Sequence, residues 1–462
     1  MVENREGPFD LANTLETARE VPMISASYEM PRRTATIALG IILALAGHSL
    51  AQTSSPVSRH SSPYGLETKA KDENENVPIM TVYDCIKIAL EKQPKLKGIR
   101  ASVAAAETGE RGLDDARFFG QIAPDYKFRK DQASKGVQAA YAELQQIEYD
   151  VKHSVVWTYF SWVYAREQVK VASEAVGFVD HYRELVETII NDKKGNREIN
   201  QLTLNELIIR LSEGKQLLLK AEAGEGKAYA ALREAMGVEP TFRLSPADKG
   251  LPRFAAIDLK KELVVEYART RRGEVTMASL VAEVTQIETQ IQWAYRLRYR
   301  TETFAAAADL HSRSVPLGTM DGDYRPDALG PEMPAKLFGS RSSRTQRMAQ
   351  LHERAQAVLE KTKNLVALEA ENAFIDYEIA GKSVEEARIA MDRAKANYMS
   401  LESVVGQRIS KSADLKTLLE SYAVLAKAQA SYNESIYHRV TALSALERVT
   451  AGGVQVKFNA IK

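Results

Sequence analysis

A duplicated pair of long helical segments is the sequence feature that most constrains the fold of this chain. In each copy the two segments are joined by a Gly-x-Arg turn, at residues 195–197 in the first copy and 406–408 in the second. Apolar residues recur at spacings of three and four around each turn, which is typical of helices with a single apolar stripe. A helical hairpin of this kind cannot bury its stripe alone, so it must pack against its copy and against other subunits.

The helix before the first turn illustrates the length of these segments. Val137, Tyr141, Leu144 and Ile147 continue a pattern that predicts one helix from about residue 133 to 190. At 1.5 Å per residue this helix would be roughly 85–90 Å long. Coiled coils have helices of this length, whereas globular domains rarely do. The sequence therefore predicts a coiled-coil protein rather than an enzyme with a pocket.

Breaks in the periodicity divide the chain into segments. Each repeat carries an irregular insert at the same place, between its incoming helix and its long helix, where glycine and proline interrupt the helical pattern. The predicted segments are a signal region 1–51, a disordered leader 52–79, a first structural repeat 80–240 with a strand insert 117–132, a linker 241–255, a second structural repeat 256–452 with a strand insert 296–345, and a C-terminal tail 453–462.

The N-terminal region has the pattern of an export signal. Arg32 and Arg33 precede an apolar stretch, residues 37–47, that is too short to span a bilayer. Small residues then predict cleavage between Ala51 and Gln52. In this arrangement Met30 is a more natural start than Met1. An uncleaved apolar anchor is the alternative that the pattern leaves open.

The composition argues against several classes of function. The chain has 62 Lys and Arg against 61 Asp and Glu, with no block of like charge, so nucleic acid is not an expected partner. Its single cysteine, Cys85, excludes an intrachain disulfide and a cysteine-cluster metal site. The seven histidines are scattered, and no phosphate loop or zinc-protease pattern is complete. We therefore expect no catalytic residue, cofactor or metal, and an enzyme is the third and weakest of the functional hypotheses.

One segment of the second insert alternates in the manner of a β-strand. Tyr295, Leu297 and Tyr299 alternate with arginines, which gives one face suited to lipid and one suited to water. The run has about the length of a membrane-spanning strand. Its alternative is the frayed end of the preceding helix, because short runs are ambiguous by pattern. The first insert is too short for two such strands.

The layout resembles the TolC-like outer membrane efflux protein family over about residues 80–452. The resemblance is carried by residues 81–96 (TVYDCIKIALEKQPKL), which are similar to the family's L-x-x-A-L-x-x-N-P-x-L start, by the alanine-rich helix that follows, and by the duplicated Gly-x-Arg turns. It implies a mainly α fold with a small β part, in which duplicated long helical hairpins form a trimeric α-helical barrel below a membrane β-barrel. Because the first insert is short, a complete barrel, a reduced barrel and no barrel all stay open.

The resemblance also implies a function. Such a protein is a passive homotrimeric conduit, the outer membrane channel component of a tripartite efflux or type I secretion system. Its partners are an inner-membrane transporter, a periplasmic adaptor (membrane fusion protein) and outer membrane lipid. Its location is the cell outer membrane, with the helical part in the periplasm. The alternative is a periplasmic coiled-coil scaffold or adaptor that has no membrane barrel.

The same resemblance places a gate at the periplasmic ends of the hairpins. The residues at the matching positions are Gly406, Arg408 and Asp414 in the second turn, and Gly195, Arg197 and Gln201 at the comparable places in the first. In the family, aspartates of the second turn form a ring of carboxylates at the channel entrance. Thr417 stands where the family has the second of these aspartates, so the resemblance implies a ring with fewer carboxylates. From the residues alone, Arg408 is equally an ordinary charge facing water and Asp414 a natural N-cap of the last helix.

Overall fold

The computed structural model describes residues 77–115, 123, 125–191, 199–253, 257–304, 329–405, 412–456 and 458. The helices in this part of the chain are α1 (Val82–Lys92), α2 (Pro94–Asp115), α3 (Tyr126–Asn191), α4 (Gln201–Met236), α5 (Lys261–Arg271), α6 (Gly273–Ala294), α7 (Arg341–Val405) and α8 (Ser412–Val449). Two short strand pairs accompany them. β1 (Ile79–Met80) runs parallel to β2 (Ser245–Pro246), and β3 (Arg300–Glu302) runs antiparallel to β4 (Lys336–Phe338).

Several helices begin and end where local sequence signals require. Thr81 and Asp84 form a reciprocal capping box at the start of α1. The Asn200 side chain accepts hydrogen bonds from the N–H groups of Leu202 and Thr203, at 3.0 and 3.2 Å, and so opens α4. Gly237, with φ of 65°, adopts the left-handed conformation that closes α4.

The two long helices run the length of the molecule. α3 has 66 residues and α7 has 65, so each is roughly 100 Å long at 1.5 Å per residue. The strand insert predicted at 117–132 is wrong over residues 126–132, which form the first turns of α3. This start is held in place because the Tyr126 hydroxyl donates to the Leu113 carbonyl at 2.9 Å and Gln132 bonds into a buried polar cluster.

The shorter helices stack end to end alongside the long ones. The end of α4 meets the start of α2, where the Gln93 amide donates to the carbonyls of Glu234 and Ala235 at 3.1 and 3.2 Å. The end of α8 meets the start of α6 in the same way, through the charged residues described below. Helix contacts give the order α4–α3–α8–α7 at the hairpin end and α2–α3–α6–α7 at the insert end.

The main apolar core lies around these stacking points. It combines α1 with the middle of α3 and α7, the ends of α4 and α8, and part of α5. The chain flanking the helices packs here too. Val454 and Phe458 of the predicted tail are buried, and the Phe458 N–H donates to the Tyr83 hydroxyl at 2.7 Å. The leader predicted to be disordered through residue 79 instead ends in strand β1, because Ile79 pairs with Ser245 of the predicted linker.

The second insert differs from its predicted strand. Tyr295 closes α6, and its N–H donates to the Ile291 carbonyl at 3.2 Å; Leu297 and Tyr299 lie in bends before β3 begins. The reason is Arg344, whose buried guanidinium draws in the carbonyls of Tyr295, Arg298 and Gly339 and curls the segment. The strand predicted at Tyr295, Leu297 and Tyr299 is therefore wrong, and the described strand has three residues.

Candidate functional site

The ends of the two hairpins are the first candidate site. The structure describes Gln201 and Asp414 of the predicted gate, whereas Gly406, Arg408 and Arg197 lie outside the described residues. The predicted cleavage residues Ala51 and Gln52 also lie outside them. How the gate residues approach one another therefore stays a prediction.

Asp414 is the third residue of α8 and is half-buried. The alternative that made it the N-cap of this helix is wrong, because α8 already begins at Ser412. A carboxylate in the first turn is favoured by the partial positive charge of the free backbone N–H groups. Within the described part of the chain, Asp414 has no side-chain hydrogen bond or ion pair.

Gln201 opens α4 at the first hairpin end. Its side chain is exposed, and its amide donates to the Asn205 carbonyl oxygen at 3.2 Å, one helical turn further along. This bond lies within a single helix, so it fixes the Gln201 rotamer without joining the two hairpins.

Apolar residues join the two hairpin ends instead. Phe178 of α3 stacks on Tyr422 of α8 with ring centroids 3.8 Å apart, and the edge of Tyr398 of α7 meets both rings. Burial, assisted by a hydrogen bond to Glu402, raises the pKa of Tyr398, so this cluster stays neutral at physiological pH. The buried residues beside these rings are Tyr182, Val186, Ile199, Leu207, Leu415, Leu418 and Leu419.

A second site is a buried charged junction where α8 meets α6. Arg272, fully buried, donates to both carboxylate oxygens of Glu274 at 3.0 and 2.5 Å and to Glu369 of α7. Arg448 of α8 donates to the other oxygen of Glu369 at 2.6 Å and lies 3.6 Å from Asp150 of α3. One set of ion pairs thus fastens α3, α6, α7 and α8 together.

Protonation equilibria in this junction follow from its burial and its charges. Burial opposes the charged form of Arg272, but the carboxylates of Glu274 and Glu369 outweigh burial and raise its pKa. Burial raises the pKa of Asp150, and the guanidinium of Arg448 opposes that rise. Two arginines therefore face three carboxylates, and removal of either arginine would leave buried carboxylates without enough positive charge to balance them.

A third site is a buried hydrogen-bond hub at the insert end. The Glu288 carboxylate is fully buried and accepts from Arg129 of α3 at 2.6 and 3.3 Å, from Gln132 at 3.1 Å and from Gln292 at 2.8 Å. It also accepts from the backbone N–H of Phe304 at 3.2 Å. The hub extends to the strands, because the Thr301 hydroxyl donates to Gln292 at 2.6 Å. It ties the β3–β4 pair to the start of α3.

Sequence reasoning missed both polar sites, although α6 carried a signal. This helix is apolar on nearly every face, with Val281, Val284 and Ile291 all buried, and yet it contains Glu274 and Glu288. A carboxylate on a buried, apolar face of a helix requires a cation and further donors. The identity of those partners depends on tertiary contacts that the spacing of residues does not reveal.

Groups with reactive chemistry are neutral or dispersed in the described residues. They contain no group of three or more His, Cys, Asp or Glu side chains arranged to hold a metal ion. Burial raises the pKa of the Cys85 thiol to about 12 and lowers the pKa of His153 to about 4, so both groups are neutral at physiological pH. No helix in the described part is both long and apolar enough to cross a membrane.

Solved structures with the same arrangement are outer-membrane channels. The outer-membrane channel OprN superimposes with a TM-score of 0.62 at 14% identity, over 80% of this chain and 90% of that one. The CmeC outer membrane channel of Campylobacter jejuni superimposes with a TM-score of 0.61 at 12% identity, over 87% of this chain and 94% of that one. The MtrE outer membrane channel of Neisseria gonorrhoeae superimposes with a TM-score of 0.60 at 13% identity, over 81% of this chain and 89% of that one. The chain has the outer-membrane efflux channel fold. No protein-family model and no curated protein matches its sequence.

The fold expected from the resemblance is thereby confirmed: the efflux channel fold combines a mainly α chain with two long helical hairpins and few strands. At identities of 12–14% the likeness concerns fold alone. Within this channel fold the three sites are spread along the molecule. The apolar cluster lies at the hairpin ends, the charged junction in the middle and the Glu288 hub at the insert end.

Proposed function

We propose that the protein is a passive conduit subunit of the outer membrane, with its helices in the periplasm. Three copies form the conduit, and an inner-membrane transporter and a periplasmic adaptor drive it in a tripartite efflux or type I secretion system. The pump, the adaptor and the number of copies follow from the family resemblance. The support that comes from this chain is its fold and the distribution of exposed apolar side chains.

The exposed apolar side chains on the edge helices carry the proposal. At the hairpin end α4 and α7 lie at the two edges of the helix order, and each presents large apolar side chains to solvent. They are Leu202, Ile208, Ile209 and Leu219 on α4 and Ile375, Ile379, Ile389, Met399 and Val404 on α7. Contact between the α4 edge of one copy and the α7 edge of the next would bury both sets. A repeated head-to-tail contact of this kind closes into a ring when the rotation from one copy to the next completes a full turn.

Ring closure would leave a passage rather than a filled centre. Each copy contributes four helical rods side by side, and the long helices are roughly 100 Å in length. A ring of such rods buries its apolar edges between neighbours and lines its centre with the remaining, mostly polar faces. Passage through it would then be controlled at the hairpin ends by charge and by constriction.

The deciding experiment is fractionation of native membranes, followed by the mass of the detergent-extracted protein. A trimer in the outer membrane fraction is the expected result. A soluble periplasmic species would overturn the proposal and would favour the scaffold that the sequence left as its alternative.

We further propose that the hairpin ends form the gate, with Gly406, Arg408 and Asp414 in the second turn and Arg197 and Gln201 in the first. The half-buried position of Asp414 and its lack of a partner among the described residues support this assignment. The apolar cluster beneath it supplies a rigid base for such a constriction.

The double substitution Arg408→Ser and Asp414→Ala is expected to raise single-channel conductance in planar bilayers about two- to tenfold, because it removes side-chain contacts worth roughly 0.5–1.5 kcal/mol at the gate. The matched control is Glu385→Ala with Arg388→Ser, an exposed ion pair midway along α7 that loses the same two charges. Equal conductance of the gate variant and the wild type would contradict the gate assignment.

A further inference from the structure

Four large apolar side chains are exposed together around the β3–β4 pair. Leu297 is 100% exposed, Tyr299 73%, Trp293 59% and Phe338 56%. Trp293 is in the last turn of α6, Leu297 and Tyr299 lead into β3, and Phe338 ends β4, opposite Arg300. We call these four residues, with the arginines described next, the collar. Such a concentration of exposed aromatic surface on one element is a mark of an interaction site.

Arginines lie over aromatic rings throughout the collar. The guanidinium of Arg341 is 4.2 Å from the centre of the Trp293 ring, and that of Arg300 is 5.6 Å from the centre of Phe338. Arg298 lies 4.7 Å over Tyr295, whose ring is buried beneath it. A guanidinium over a ring keeps its charge and its in-plane donors while the ring shields one face. The collar therefore presents apolar surface and hydrogen-bond donors side by side.

The charge of this region is strongly one-sided. Residues 293–302 and 335–347 contain seven basic residues and a single acidic one, Glu302. Glu302 is itself engaged, since its carboxylate lies 3.9 Å from Lys336. The whole chain of 462 residues has a net charge of only +1, so this excess is local. A surface that joins exposed aromatics with uncompensated arginines complements a lipid interface that carries anionic headgroups.

The collar is held on a rigid base. The Arg344 guanidinium binds the carbonyls of Tyr295, Arg298 and Gly339, which fixes the two segments that carry the collar. The Glu288 hub ties the same region to α3. Because the collar lies at the insert end, it is separated from the hairpin ends by roughly the 100 Å length of α3. A preorganised surface loses little conformational entropy when it binds.

We propose that the collar binds the anionic lipid surface of the membrane, with Tyr299, Leu297 and Phe338 in the headgroup region and Arg298 and Arg300 on the lipid phosphates. This inference rests on the proposed outer-membrane location and names the residues that make the contact. It replaces the predicted membrane strand, since Tyr295 is buried whereas Leu297 and Tyr299 are exposed.

The test is the affinity of the purified full-length protein for vesicles of phosphatidylcholine, with and without phosphatidylglycerol. The wild type should bind the anionic vesicles more tightly, and added salt should weaken that binding. Arg298→Gln with Arg300→Gln should lower the affinity for anionic vesicles about thirtyfold, from about 1 kcal/mol for each basic residue near the surface. Tyr299→Ser with Phe338→Ser should lower the affinity for both kinds of vesicle.

The matched control is Arg253→Gln with Arg271→Gln, two exposed arginines that lie over the rings of Tyr432 and Tyr267 at 5.5 and 4.8 Å but outside the collar. It should bind like the wild type. The inference is overturned if the Arg298 and Arg300 variant keeps full affinity, or if the control loses as much. It is also overturned if the collar variants change the oligomeric mass while vesicle affinity is unchanged, since the collar would then contact a second copy.

These results are separable from the channel proposal. Membrane fractionation of the wild type tests the outer-membrane location, whereas the vesicle assay compares purified variants with one another. A wild type in the outer membrane, with collar variants that bind vesicles normally, would overturn the collar alone. A wild type that is soluble in the periplasm and does not bind vesicles would overturn both.

Discussion

Arg272→Ala is expected to lower the free energy of unfolding by about 3–5 kcal/mol, because it removes one partner of a buried ion pair. Arg272 is fully buried and holds Glu274 and Glu369, so its loss leaves two buried carboxylates with Arg448 as the remaining cation. The junction spans four helices, and the effect should therefore appear as global destabilisation rather than local fraying. Urea denaturation of the purified protein, followed by circular dichroism, measures the change.

Two further variants separate loss of charge balance from loss of packing. Arg272→Met with Glu274→Leu removes one charge of each sign and leaves Arg448 with Glu369 and Asp150, so it should recover much of the stability lost by the single substitution. Arg183→Ala removes an arginine that faces three carboxylates on the surface of α3, and it should change stability little because exposed pairs are well solvated. A double variant no more stable than Arg272→Ala would contradict the electrostatic account.

Glu288→Ala should also lower the free energy of unfolding by about 3–5 kcal/mol, and the loss of structure should begin at the insert end. The substitution leaves the Arg129 guanidinium without its principal carboxylate, and it removes the buried acceptor to which Gln132, Gln292 and the Phe304 backbone N–H donate. Because the hub anchors the β3–β4 pair, that pair should detach before the helices unfold.

Hydrogen exchange locates this effect. The Thr303 N–H, which donates to the Ala335 carbonyl at 3.1 Å, and the Gly339 N–H, which donates to Tyr299 at 2.9 Å, should exchange faster in Glu288→Ala. Glu283→Ala on the same helix is the matched control, because Glu283 is half exposed and its ion pair within the described residues is with Lys135 at the surface. It should cost less than about 1 kcal/mol and leave both amides protected. Unchanged exchange in Glu288→Ala would show that the hub does not hold the strands.

The helices could be predicted from the sequence because their signals are local. The spacing of apolar residues and the Gly-x-Arg turn at residues 195–197 predicted where the first long helix ends, and α3 ends at Asn191. The long helices were also expected, although both begin earlier than the apolar pattern does. Ser340 caps α7, where the Ser343 N–H donates to the Ser340 hydroxyl at 3.2 Å.

The elements that could not be predicted depend on contacts between distant residues. The bend at residues 295–299 is set by Arg344, which lies more than forty residues later in the chain. A period-two pattern of side chains carries no information about such a distant contact. The partners of Glu288 and Glu369 come from other helices. At the hairpin ends, the ring contacts of Phe178, Tyr398 and Tyr422 could not be predicted, because each residue lies on the apolar stripe of a different helix.

The position of the charged junction along α7 has a mechanical consequence. Glu369 divides this helix into two arms, and Val405 at its hairpin end lies roughly 54 Å from the junction at 1.5 Å per residue. With the junction as fulcrum, a tilt of about 5° displaces that end by about 5 Å, nearly one helical pitch. A tilt of this size about Glu369 would thus move the hairpin end of α7 by about the width of a side chain.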